Sequence, residues 1–266
     1  MQTILSVLRA IIVPLGWICA LLALATPLWF AVAAFGTKWG FLDTATGLGW
    51  MTHTVGRPLL LACLLAGGAA LLLILVHWLA GRRFFGAVVS AVLALAVGGA
   101  GLGWAWTVDR HRDAMPPVLD ITTDRQDPPH FSPGLRARRP VGDQSLAYID
   151  KRGPDGRPLA ALQAEIYPDI ATIAVASPPE AVFARALDYA HQQRWRVGTA
   201  SQSAGMFEAG TESFWYGLRD DIVVRVRDDG EGGSLVDIRS LSRDTIHDLG
   251  RNAQRVRDFS AAISAS

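Results

Sequence analysis

The residues with the greatest capacity for chemistry lie near the carboxyl end, in the runs VDIRSLSRD and HDLGRNAQRVRD. Seven polar positions are predicted to gather at one end of a sheet: Arg239, Ser240, Ser242, Arg243, Asp248, Asn252 and Arg255. Arginine side chains of this kind bind anions such as phosphate or carboxylate head groups. They can instead pair with carboxylates of the protein itself, because half-buried charges must be neutralised. We expect this second, structural role, and a ligand site is the alternative.

An enzyme built on this cluster would be a hydrolase or transferase that acts on an anionic substrate. Asp248 or His247 would serve as the base, and Arg239 with Arg243 would hold the anion. However, the sequence contains no HExxH, no GxSxG and no P-loop. The histidine and its acidic neighbours also lack a third metal ligand at a suitable spacing. We therefore expect no catalytic residues, no metal and no cofactor.

A hairpin must position these side chains. The runs DIVVRVR and SLVDIRS alternate apolar and polar residues with the period of a strand, and they flank the turn sequence DDGEGG. Three cross-strand pairs are predicted: Val226 with Val236, Val224 with Ile238, and Arg225 with Asp237. A shift of one residue would turn every side chain to the other face, so the pattern favours this register.

Two amphipathic helices accompany the strands. The first follows the capping sequence Ser177–Glu180, and the second begins near Thr245 with a buried stripe that includes Ala253 and Val256. Further strands are predicted through Ile173 and Val175 after the proline-interrupted run EIYPDIATIAVA, and at Trp195–Thr199 and Met206–Tyr216. The resulting order is β-α-β-β-β-β-α. Runs of adjacent strands predict an antiparallel sheet with both helices on one face, which is a two-layer α+β fold.

The amino-terminal part of the chain is apolar. Hydrophobic residues make up 50% of the 266 residues, and the excess lies before residue 107. Three runs without Asp, Glu, Lys or Arg reach the roughly 20 residues that span a bilayer: 10–35, 58–79 and 86–106. A cleaved signal peptide is the alternative for the first run, but the run continues well past its Ala23 and Ala25. We expect three transmembrane helices.

Domain boundaries follow from this composition. Residues 1–108 are predicted to form a membrane anchor, and residues 141–266 a soluble α+β domain. Between them, residues 109–140 are polar and rich in proline, which is typical of an extended linker.

Small residues mark the third span. Gly99 and Gly103 have GxxxG spacing, and Ala94 and Gly98 repeat the interval one turn earlier. Such residues let helices approach closely in lipid. We expect helix packing within the chain, and contact between two copies is the alternative.

Charge in the short loops predicts the orientation. Arg9 and the pair Arg82 and Arg83 carry a basic excess, so the positive-inside rule places them in the cytoplasm. Three crossings then put everything after Trp106 outside. This predicts a multi-pass protein of the inner membrane with a cytoplasmic amino terminus and a periplasmic carboxyl-terminal domain. The formal net charge of +1 gives no indication of nucleic-acid binding.

Several runs resemble domain-of-unknown-function family 1499. They are YPDI at 167–170, FWYGLRDDIVVRVR at 214–227 and VDIRSLSRDTIHDLGRNAQRVRDF at 236–259, together with DITTDRQDPPHF at 120–131. Members of that family lie behind membrane spans or lipoprotein-type signals, so the resemblance implies an extracytoplasmic domain and no particular chemistry. The family's recurring positions correspond here to Asp220, Asp221, Arg225, Asp237, Arg239, Ser240, Ser242, Arg243, Asp248, Gly250, Asn252 and Arg255.

Together these features predict a membrane-anchored envelope protein without enzymatic activity. Its partners would be membrane lipid and either an envelope protein or an anionic head group, with a homodimer through the third span as a further expectation. An envelope hydrolase or transferase that acts on an anionic substrate is the alternative.

Overall fold

The computed structural model describes residues 2–79, 84–139, 147–244 and 247–265. The chain divides into two compact units. The helical unit consists of Met1–His111 and Phe214–Gly217, and the sheet unit consists of Arg112–Ser213 and Leu218–Ser266.

The helical unit contains three long helices. They are α1 (Gln2–Lys38), α2 (Gly56–Leu79) and α3 (Phe85–Ala114), and a π-helical segment (Ala45–Val55) leads directly into α2. Their apolar parts, Ala10–Lys38, Ala45–Leu79 and Phe85–Ala114, are long and apolar enough to cross a membrane. The three predicted spans are therefore confirmed as helices. Arg82 and Arg83, on which the predicted orientation depends, lie outside the described residues.

Small side chains allow α2 and α3 to approach closely. A Cβ atom added to Gly98 would lie 2.6 Å from the carbonyl oxygen of Leu60, and one added to Gly67 would lie 2.7 Å from that of Ala91. By contrast, Gly99 and Gly103 are exposed, and a Cβ atom at Gly103 would have nothing within 4 Å. A Cβ atom at Gly99 would lie 3.9 Å from Leu64 Cδ2, an ordinary packing distance, so Gly98 rather than Gly103 lies closest to α2. The two glycines differ because neighbouring helix positions point in different directions.

The sheet unit contains six antiparallel strands. They are β1 (Asp120–Thr122), β2 (Ile173–Val175), β3 (Arg196–Ser201), β4 (Met206–Glu212), β5 (Arg219–Asp228) and β6 (Ser234–Ser242). The sheet order is β1-β6-β5-β4-β3, and β2 also pairs with β6. The helices of this unit are α4 (Pro133–Arg136), α5 (Leu159–Ile166), α6 (Pro179–Gln192) and α7 (Arg251–Ser264). From β2 to α7 the order is the predicted β-α-β-β-β-β-α.

The hairpin of β5 and β6 has the predicted register, with Val226 opposite Val236 and Val224 opposite Ile238. Its turn is held by carboxylates: Asp228 accepts a hydrogen bond from the backbone of Gly230 at 2.7 Å. This glycine has a φ of 85°, a conformation that residues with a Cβ atom rarely adopt.

Both long helices of the sheet unit cover one face of the sheet, as predicted. The buried side chains of α6 are Val182, Phe183, Ala186 and Ala190, and those of α7 include Ala253, Val256, Phe259 and Ile263. They pack against strand residues such as Val224 and Ile238. Helix α7 begins later than predicted, because Leu249 and Gly250 have left-handed φ values of 55° and 75°.

The second face of the sheet is covered by the segment 120–139, here called the cover segment. Its strand β1 pairs with β6, and its Phe131 packs on Val223 and Leu241. The predicted linker over 109–140 is therefore wrong from Asp120 onward. The prolines of this segment favour an extended backbone, but that backbone lies on the sheet.

Candidate functional site

The predicted polar residues form two clusters on opposite faces of β5 and β6, rather than a single group. Alternation along the strands separates them, since neighbouring side chains of a strand point to opposite faces. Asp220 contacts residues of β6 and α7, whereas Asp221 contacts an arginine of the cover segment. These two acids are adjacent in sequence but cannot act together on one bond.

The cluster on the helix-covered face centres on the buried carboxylate of Asp220. It accepts hydrogen bonds from the Arg255 guanidinium at 2.7 Å and from the Ser242 hydroxyl at 2.8 Å. Arg255 also donates to the Ser240 hydroxyl at 2.7 Å and to the Asn252 amide oxygen at 2.8 Å. Helix α7 is thereby tied to both central strands by charge-assisted hydrogen bonds, which are stronger than neutral ones.

Asn252 completes this cluster. Its amide oxygen accepts from the Ser240 hydroxyl at 2.7 Å, and its amide nitrogen donates to the Leu119 carbonyl at 3.0 Å and to Ser242 Oγ at 2.9 Å. The side chain is fully buried. A buried amide with these partners has a structural role, because its hydrogen-bonding capacity is directed at the protein.

Asp248 caps α7. Its two carboxylate oxygens accept from the backbone N–H groups of Gly250 at 3.0 Å and Asn252 at 2.8 Å. A negative charge at this end of a helix is favoured by the helix dipole. Gly250 has no room for a side chain, since a Cβ atom would lie 2.7 Å from Met115 Sδ. The predicted alternative of Asp248 as a catalytic base is therefore not favoured.

His247 is fixed by two backbone groups. Its Nδ1 accepts from the Leu249 N–H at 3.0 Å, and its Nε2 lies 2.8 Å from the Met115 carbonyl oxygen. This arrangement assigns the proton to Nε2, which then donates to that carbonyl. Both ring nitrogens are therefore engaged with backbone groups.

Arg239 dominates the cluster on the other face. Its guanidinium donates to both carboxylate oxygens of Asp120, with Nε–Oδ1 at 2.9 Å and NH2–Oδ2 at 2.8 Å. The central carbon of the guanidinium, Cζ of Arg239, lies 5.0 Å from the centre of the Phe131 ring and 5.6 Å from the centre of the Tyr148 ring. Lys151 Nζ is a further donor to Asp120 at 2.8 Å. This geometry resembles the recognition of a bound carboxylate, but the carboxylate belongs to the protein.

Two positive charges determine the ionisation of Asp120. Burial alone would raise its pKa, but the charges of Arg239 and Lys151 and their hydrogen bonds outweigh burial and lower the pKa to about 2. The carboxylate therefore stays ionised at neutral pH despite being buried.

Arg243 pairs with Asp221. Its guanidinium donates to both carboxylate oxygens, with Nε at 3.2 Å from Oδ2. Arg139 of the cover segment binds the same carboxylate and also donates to the Ser242 carbonyl at 2.8 Å. Arg139 lies within residues 109–140, which were predicted to form an extended linker.

Asp237 is the third buried acid of this face. It accepts hydrogen bonds from Arg225 at 3.0 Å, Arg227 at 2.7 Å and the Thr172 hydroxyl at 2.7 Å. Arg225 lies opposite Asp237 in the hairpin and also reaches Asp127 at 2.8 Å.

Sequence reasoning missed the partners supplied by the cover segment and by the turn that follows it. They include Asp120, Asp124, Asp127, Phe131, Arg139, Tyr148 and Lys151. The only signal was the DITTDRQDPPHF run, which indicated that Asp120 belongs to the domain. In the ranges that the structure describes, no three His, Cys, Asp or Glu side chains are grouped as metal ligands would be.

The three apolar helices and the sheet unit define a membrane-anchored α+β protein. Residues 120–263, more than half of the chain, match the family described as "Protein of unknown function (DUF1499)", and the chain belongs to that family. The match begins at the first residue of β1, which agrees with the place of the cover segment in the domain. No curated protein matches the chain.

Proposed function

We propose that this chain is a multi-pass protein of the inner membrane whose sheet unit lies in the periplasm and binds another envelope protein. In this proposal the sheet unit is a rigid recognition module without catalytic activity. One observation carries it: the arginines that were candidates for binding an anion hold carboxylates of the protein itself.

The energetics favour this interpretation over capture of an anionic head group. An external phosphate at Arg239 would have to displace the buried Asp120, whose charge would then lack its main partner. Breaking a buried pair in this way costs about 3 to 5 kcal/mol. Arg243 is held in the same manner by Asp221. Recognition by the exposed surface of the sheet unit avoids that cost.

A hydrolase or transferase finds no support among the described side chains. Its candidate bases, Asp248 and His247, have their oxygens and nitrogens engaged with backbone groups. Its candidate anion clamps are paired with carboxylates.

Cross-linking in intact cells tests the proposed interaction. A photoreactive residue is placed singly at the exposed positions Ile149, Thr199 and Glu231 of the full-length protein. We expect at least one position to give a protein adduct of discrete mass that disappears when unlabelled protein is co-expressed in excess. Adducts to lipid alone at all three positions would contradict the proposal and favour a head-group ligand.

A further inference from the structure

The aromatic run Phe214–Tyr216 does not continue strand β4 as predicted. The strand ends at Glu212, and a closed turn follows: the Ser213 N–H donates to the Leu218 carbonyl at 2.8 Å, and the Leu218 N–H donates to Ser213 Oγ at 2.9 Å. The backbone between them therefore projects as a short loop with both ends fixed.

This loop, residues 214–217, belongs to the helical unit. Lys38 Nζ donates to the Phe214 carbonyl at 2.7 Å and lies 4.8 Å from the centre of the Phe214 ring. The Tyr216 hydroxyl lies 2.6 Å from Thr52 Oγ1. Gly217 has a φ of 64°, and a Cβ atom there would lie 2.9 Å from Lys38 Cα. Charge, hydrogen bonding and close packing thus hold the loop against its helices.

The loop lies where two apolar spans end. Lys38 is the last residue of the span Ala10–Lys38, and Thr52 lies near the start of the span Ala45–Leu79. At such ends the hydrocarbon layer gives way to lipid head groups, and tryptophan is enriched there because its ring is both apolar and polar.

Large aromatic side chains are exposed at this level of the helical unit. Phe214 is 66% exposed and Trp215 is 58% exposed, although Trp215 lies 5.7 Å from the Phe35 ring. Trp39 and Phe41, which lie between the two spans, are exposed as well, and so is Trp50 near the start of the second span. Large exposed apolar patches mark surfaces that contact a membrane, another protein or a ligand.

We propose that Phe214 and Trp215 insert into the interfacial layer of the bilayer, at the boundary between acyl chains and head groups. Their continuity with the lipid-facing surface of the spans identifies lipid as the occupant. The β4–β5 loop is then a membrane-contact element of the family domain. This inference requires only that the helices cross a membrane, and it does not rest on the proposed protein partner.

Depth-dependent fluorescence quenching tests the proposal on the full-length protein in lipid vesicles. The two buried cysteines, Cys19 and Cys63, are replaced by alanine, and Trp215→Cys carries an environment-sensitive fluorophore. We expect blue-shifted emission and stronger quenching by lipids with a nitroxide near the head group than by lipids with one near the chain end. Phe214→Cys gives an independent second position.

Two reference positions calibrate the measurement. Leu65→Cys lies on the exposed side of α2 within a span, so its label should be quenched most by the deep nitroxide. Glu231→Cys, at the exposed tip of the β5–β6 hairpin, should respond to aqueous iodide instead.

Three results at residue 215 would overturn the proposal. Iodide quenching equal to that at residue 231 would place the side chain in water. Protection from both iodide and nitroxide lipids would mean that protein covers it. A depth profile equal to that of residue 65 would place it in the hydrocarbon core.

Discussion

At the scale of single residues, the sheet unit neutralises its buried charges internally. Arg239, Arg243 and Arg255 each bind a carboxylate through hydrogen bonds as well as charge. The partner of Arg239 could not be predicted from local sequence, because Asp120 lies 119 positions away. Alternation in the hairpin predicted that Arg225 lies opposite Asp237, but it identified neither the partners of Arg239 and Arg243 nor their separation from Arg255 on the opposite face of the sheet.

Replacing Arg239 should therefore destabilise the fold rather than remove a function alone. Arg239→Gln leaves the buried Asp120 without its bidentate partner, and we expect a loss of about 3 to 5 kcal/mol in the free energy of unfolding. Thermal and denaturant unfolding of the detergent-solubilised full-length protein measures this loss.

The matched control is Arg257→Gln. Arg257 also makes two hydrogen bonds to one carboxylate, at 2.6 Å and 2.8 Å from Asp169, but both side chains are substantially exposed. An exposed pair contributes about 0 to 1 kcal/mol, so this variant should unfold nearly as the natural protein does. Equal melting temperatures for Arg239→Gln and the natural protein would restore an anion site as the better explanation.

The pKa of Asp120 predicts an acid-sensitive contribution to stability. A carboxyl pKa of about 2 in the folded state lies below the ordinary 3.8, so the unfolded state binds more protons in this range. The stabilisation is fully present above about pH 4 and is lost as the pH falls toward 2. We expect the free energy of unfolding to decrease across that window, by about 2 kcal/mol from this group.

The variant Asp120→Asn isolates this contribution. It should be less stable than the natural protein at pH 6 and show a shallower pH dependence between pH 4 and pH 2, because its side chain does not titrate. Parallel pH profiles of the two proteins would show that other carboxyl groups cause the acid sensitivity.

At the scale of elements, periodicity correctly predicted those helices and strands whose pattern lies within a single segment of the sequence. The hairpin register, helix α6 and the three apolar helices each follow from patterns within one segment. Strand β1 has only three residues, and its place in the sheet depends on pairing between Asp120 and Leu241. Such a pairing leaves no periodic signal, so the prolines favoured a linker. The start of α7 was misplaced because two left-handed residues precede it.

The packing of α3 on α2 predicts different effects for substitutions at two glycines of α3, Gly98 and Gly103. Gly98→Leu would push a side chain into the Leu60 carbonyl, whereas Gly103→Leu extends into open space. We expect Gly98→Leu to lower the melting temperature of the full-length protein and Gly103→Leu to leave it unchanged within about 2 °C.

The oligomeric state of the same two variants addresses contact between copies. If the third span joins two chains through its exposed small residues, Gly103→Leu should dissociate them in mild detergent without loss of folding. A Gly103→Leu variant that unfolds like Gly98→Leu would contradict the packing of α3 seen here.

At the scale of the whole molecule, opposite charges are almost equal in number, with 25 Lys and Arg against 24 Asp and Glu. Many of these charges neutralise one another in the buried ion pairs of the sheet unit. The molecule therefore has no strong positive electrostatic field that would attract a polyanion. The predicted orientation depends on the uneven placement of the basic residues in short loops rather than on their total.

The predicted orientation therefore rests on few charges, and we expect few substitutions to perturb it. A reporter that is active only outside the cytoplasm should be active when fused after Ser266 and inactive when the chain is cut and fused after Phe84, a position that retains Arg82 and Arg83. Activity of a cytoplasm-only reporter after Ser266 would reverse the assignment and place the family domain in the cytoplasm.

The pair Arg82 and Arg83 supplies most of the predicted bias. Replacing both with glutamine removes two positive charges from the loop assigned to the cytoplasm, so a fraction of chains should insert in the inverted orientation and lower the external reporter signal. Replacing Arg110 and Arg112 with glutamine removes the same charge from the side that the prediction assigns to the periplasm. That change should preserve or increase the signal, because it enlarges the difference between the two sides. Equal effects of the two double substitutions would mean that loop charge does not set the topology.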